Sequence, residues 1–129
     1  MIRKYSKKGL EKRKSERECL PEFFMKHVDI IKKEKRCCEN CSERLIGDVS
    51  EVAHRLGKSF FKSIQCLDDN VVYLGGRFSN CQCHSKYDGI NEQLQSLSFF
   101  AAEKIKVEKL LEEVTEKYNY KILDRWMIY

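Results

Sequence analysis

Residues 38–41 read Cys-Glu-Asn-Cys, and residues 81–88 read Cys-Gln-Cys-His-Ser-Lys-Tyr-Asp. Between them lie Ala53-His54 and the run Asn70-Val71-Val72-Tyr73-Leu74. Two close cysteine pairs therefore bracket a histidine and an asparagine, and a second histidine directly follows the last cysteine. Cysteines with two residues between them can hold one metal ion when the chain folds back, and Glu39-Asn40 is suitable turn chemistry. Cys81-Gln82-Cys83 is a tighter chelate of the same kind. The pattern predicts a structural metal held by Cys38, Cys41, Cys81 and Cys83.

The chain has 129 residues, enough for one domain with a modest core. It has seven cysteines, an odd number. No apolar run approaches a membrane span, and the charged N-terminus lacks the apolar core of a secretory signal. A cytoplasmic protein without membrane partners is expected. In a reducing compartment, close cysteine pairs point to metal rather than to a disulfide framework. Cys19, Cys37 and Cys66 then read as small buried residues or free thiols. Cys37 and Cys66 are the reserve donors should Cys81 not reach the metal.

The net charge of +5 is concentrated at one end. Residues 1–18 carry eight Lys and Arg against three Glu, which is the whole surplus. Such an arm suits a polyanion, most simply the phosphates of DNA, through Lys7, Lys8, Lys12, Arg13 and Lys14. It also reads as a solvated tail over residues 1–19, mobile or folding into a helix on contact. Pro21 suits the first turn of a helix, and Phe24, Val28 and Ile31 share a face of it. Val49 to Leu56 reads as a strand carrying His54, with Glu51 exposed. Asn70 to Leu74 reads as a second strand, and residues 81–89 enter a short helix. Asn91 caps a long final helix over about 91–118, with Leu94, Leu97, Ala101, Ile105, Leu111, Val114 and Tyr118 as its stripe and Glu103 outside it. The tail after it docks as an extended segment. The expected class is α+β, with residues 20–129 as one domain around a core of 37–89.

The order CxxC, Ala-His, Asn heading a β-prone run, then Cys-His and Asp resembles the HNH endonuclease family over about 50 residues. The basic arm and final helix are similar to the small HNH proteins common in bacteriophages. The resemblance implies a ββα-metal core with a zinc knuckle, located in a bacterial or phage-infected cell. It implies His54 as general base, with Asn70 orienting that region. It also implies His84 as ligand of a catalytic Mg²⁺ or Mn²⁺, and Asp88, one helical turn on, suits a second ligand. Arg55 and Lys58 are then candidates to meet DNA. One metal site makes one nick, so cutting both strands implies a homodimer or two visits. The chain departs from the family at Ala53, at Arg55-Leu56-Gly57, at Gly75 where a cysteine is usual, and in the inserted GGRFSN segment. These departures support the alternative of a catalytically degenerate zinc protein that binds nucleic acid or a protein. A third reading is an interaction protein built on the final helix.

Overall fold

The computed structural model describes residues 7–58, 60–118 and 120–127, with side chains from Cys19 onward apart from Tyr120 and Ile122. The arm residues 1–6 lie outside it, as do the side chains of Lys7, Lys8, Lys12, Arg13 and Lys14. Mixed helix and a small sheet make the chain α+β. Among the described residues, no helix is long and apolar enough to cross a membrane.

The first helix, α1 (Lys7–Glu34), starts well before Pro21, which lies inside it. An interior proline removes one ladder hydrogen bond and costs about 3 kcal/mol. The C-terminal half offsets that cost by burial. Phe23, His27, Val28 and Ile31 fall on one face and are all buried, and each apolar side chain contributes about 1.5–3 kcal/mol. Lys35 takes the left-handed conformation (φ 51°) and the Arg36 amide returns to the Ile31 carbonyl at 3.0 Å, which closes the helix.

Strands β1 (Val52–His54) and β2 (Val71–Tyr73) pair antiparallel, with Val52 opposite Tyr73 and His54 opposite Val71. The predicted first strand is shortened, because Val49–Glu51 forms a 3₁₀ turn. Glu51 is buried rather than exposed. Its carboxylate accepts the amides of Ile46, Gly47 and Asp48 at 3.0, 2.7 and 2.9 Å, so the turn before β1 is wound around it.

Helix α2 (Cys83–Tyr87) follows as expected. The single long final helix does not form. It is split into α3 (Asn91–Gln95), α4 (Phe100–Leu110) and a 3₁₀ turn at Leu111–Glu113. At the break, the Asn40 carboxamide oxygen accepts from Ser98 Oγ (3.0 Å) and the Phe99 amide (3.2 Å), so the cysteine turn competes for the helix's own groups. The predicted stripe shifts accordingly. Ile105 is exposed, and Glu103 is fully buried. The tail is a 3₁₀ segment, Tyr120–Trp126, instead of an extended one. Trp126 stacks on Phe100 at 5.6 Å and meets Tyr87 edge-on, burying itself in the core.

Candidate metal centre and catalytic face

Backbone geometry brings the four predicted cysteines together. Ser42 (φ 69°) turns the chain after Cys41, and its amide returns to the Cys38 carbonyl at 2.8 Å. Gln82, also left-handed (φ 51°), lets both cysteines of Cys81-Gln82-Cys83 face one point. The four sulfurs lie within 4.8 Å of one another. A tetrahedron with Zn–S bonds of about 2.3 Å needs sulfurs about 3.8 Å apart, so this spacing fits a structural ion such as zinc. Burial opposes ionisation of Cys38, but amides of Cys41, Gly75 and Asn40 aimed at its sulfur outweigh it and lower the thiol's pKa. Burial pushes Cys83 up strongly, although the Asn40 carboxamide donates to its sulfur at 3.4 Å. A divalent cation is what lets four adjacent thiols ionise together.

Gly75 explains how the CxC pair completes the set. A Cβ at residue 75 would lie 2.1 Å from Cys81 Sγ, little more than a bond length. The Cys81 sulfur therefore occupies the place a side chain at residue 75 would take. Neither reserve donor is used. Cys37 is exposed and free, and Cys66 forms a disulfide with Cys19 instead of standing as a free thiol. That bond ties the residue after Gln65 to α1.

His54, at the end of β1, is partly buried against Phe23 and Phe24, with ring centroids at 5.9 and 5.6 Å. Its Nε2 lies 2.8 Å from the Gln65 carbonyl. A carbonyl only accepts, so Nε2 carries the proton and Nδ1 of the neutral ring holds the lone pair. Burial depresses the His54 pKa, against the opposing pull of the Gln65 carbonyl, and favours that neutral form. Lys58 lowers it further, and the Asp88 carboxylate is near enough to raise it.

His84 is held differently. Its Nδ1 donates to the Ser50 carbonyl and its Nε2 lies 2.9 Å from Asp88 Oδ2. Burial would lower its pKa, but Asp88 and the Ser50 carbonyl prevail and raise it. The predicted pairing of His84 with Asp88 across one helical turn is therefore present. A divalent ion accepted by Nε2 and the carboxylate would find the ring already oriented through Nδ1. Among the described residues, however, only the four cysteines form a group of three or more donors gathered closely enough for an ion.

Asn70 is completely buried. Its Oδ1 accepts the Leu56 amide at 2.8 Å, and its Nδ2 donates to the Leu56 and Ile64 carbonyls. It positions the segment behind His54 and has no free atom for a metal. Arg55 does not reach outward to DNA. It is buried, with Nε 2.9 Å from Glu103 Oε1 and Nη1 donating to the Asp69 and Val71 carbonyls. Lys58 is exposed, its ammonium 5.0 Å from the Phe24 ring centroid. Sequence reasoning gave Asn40 only a turn and missed Ser50 and Gln65. The last two act through backbone carbonyls, which leave no trace in side-chain identity.

No protein-family model, curated protein or solved structure matches this chain.

Proposed function

We propose that this protein is a metal-dependent DNA endonuclease with a ββα-metal core of the HNH type. One observation carries the reading: His54 at the end of β1 is fixed by a carbonyl at Nε2, which leaves Nδ1 as a base. His84 on α2, paired with Asp88 just after it, supports the reading. His54 Nδ1 takes the proton of the attacking water, and its depressed pKa keeps it unprotonated at neutral pH. His84 Nε2 and the Asp88 carboxylate are the residues that would hold Mg²⁺ or Mn²⁺. Such an ion neutralises charge on the scissile phosphate and leaving oxygen. Asn70 keeps the segment around Leu56 and Ile64 against β2, and so keeps the Gln65 carbonyl on His54. The zinc knuckle closes the same unit, and the basic N-terminal residues meet phosphates.

The test is plasmid nicking with Mg²⁺, Mn²⁺ or EDTA, with His54→Ala alongside. Metal-dependent nicking that falls by roughly 10²–10⁴-fold in the variant is expected for a general base. A specific observation favours a second reading, a zinc-stabilised binding protein without catalysis. Ala53 is fully buried and offers no donor, and Asn70 is fully engaged, so two ligands remain for the ion. Zinc-loaded, folded protein that cuts nothing under any metal would establish that alternative.

A further inference from the structure

Residues 75–80, Gly-Gly-Arg-Phe-Ser-Asn, join β2 to α2 and are tied down along their length. A Cβ at Gly76 would lie 2.2 Å from Ser50 Oγ, so the backbone passes directly over that serine. The Arg77 amide donates to Ser50 Oγ at 3.0 Å, and the Asn80 and Cys81 amides donate to the Glu43 carboxylate at 2.9 and 3.1 Å. The Arg77 guanidinium reaches Asp48 at 2.9 Å. On this anchored loop Phe78 is 68% exposed, covered by Arg77 at 5.0 Å from its ring centroid. A lone exposed phenyl is ordinary on a protein surface. Its position makes this one informative, because Ser50 receives the loop through its hydroxyl and holds the His84 ring through its carbonyl. The chain leaving His54 also presents exposed Lys58 and Phe60, the latter 61% exposed.

The loop tied to Ser50 and the chain leaving His54 therefore each carry a basic side chain and a solvent-facing ring, Arg77 being paired with Asp48 and Lys58 exposed. Paired bases in a duplex have no free face for a phenyl, whereas unpaired bases stack on one and their phosphates take the cation. We infer that the candidate catalytic face receives single-stranded DNA, with an unpaired base stacked on Phe78 beside the phosphate that faces His84. The place of that phosphate rests on the endonuclease reading, but the stacking does not.

The experiment is fluorescence anisotropy of a labelled single-stranded DNA oligonucleotide and its duplex. It uses the zinc-loaded full chain without added Mg²⁺ or Mn²⁺, so that no cleavage is needed. Single strands should bind more tightly than duplex. Phe78→Ala should weaken single-strand binding by about 5- to 100-fold, the range of a lost base stack, with duplex binding unchanged, while Phe78→Trp restores it. Because Phe78 is exposed, zinc content and circular dichroism should match the parent. Equal or tighter duplex binding, no DNA binding, or Phe78→Ala binding like the parent would each overturn the inference. Stacking that survives in a protein that nicks nothing would refute the nuclease reading and leave this one standing.

Discussion

Around the cysteine cluster, backbone amides point at sulfur; around the two histidines, backbone carbonyls point at ring nitrogens. Amides favour the thiolate anion, so the first region is built to be completed by a cation. Carbonyls favour N–H, so each histidine is oriented through one nitrogen; the other is open on His54 and faces the Asp88 carboxylate on His84. The cysteines thus combine donor and scaffold in the same atoms. The histidines separate the two functions, since the hydrogen bonds that orient the rings are not the atoms that do chemistry. The fold should depend heavily on the first region and only slightly on the second.

The largest effect should come from removing the metal that the four cysteines would hold. Chelation, or Cys83→Ser, takes away binding free energy on the order of 10 kcal/mol, comparable to the whole stability of a domain of this size. Loss of the thermal transition, together with one zinc per chain in the untreated protein, is the expected result. A cooperative transition that survives chelation would place the stability elsewhere.

A smaller effect is expected at Arg55, which sequence reading placed at the DNA and the fold places inside. Arg55→Ala leaves the Glu103 carboxylate buried beside Lys106 and the Tyr87 hydroxyl alone, a loss of about 3–5 kcal/mol. Urea unfolding measures that loss, and the variant's DNA affinity should equal the parent's at temperatures where it is folded.

The smallest effect is the pH dependence of stability carried by His54. Its pKa is depressed in the folded chain, so its contribution is fully present above the unfolded value of about 6.5. That contribution is lost as pH falls through the folded value. Urea unfolding between pH 5 and 7.5 should show stability falling with acid, and His54→Ala should flatten the slope by at most about one proton. An unchanged slope would mean the ring is not desolvated, and the contrast with the cysteine cluster would lose its basis.

Much of the site was legible in local spacing. Cysteines on either side of two turn residues, a β-prone run headed by Asn70, and His84 one turn from Asp88 are short-range relations. The backbone alone determines which of those atoms share a turn or a helix face. Several misreadings concern groups whose partners, near or far, leave no mark in the pattern of side chains. Glu51 carries no mark of the three amides it accepts, and periodicity put Glu103 in water because its partner Arg55 lies 48 residues away. The final helix reads as continuous until Asn40 takes the amide at its break.

Local spacing specified the two close cysteine pairs, the two strands and the helix that carries His84. Tertiary structure decided which cysteines gather and which pair elsewhere, and that Cys81 fills the place left by Gly75. It also turned Arg55 inward and left Phe78 outside. The physical reason is that chelate spacing is a property of a few consecutive residues, whereas a charge or a ring is buried only if some distant segment supplies its partner.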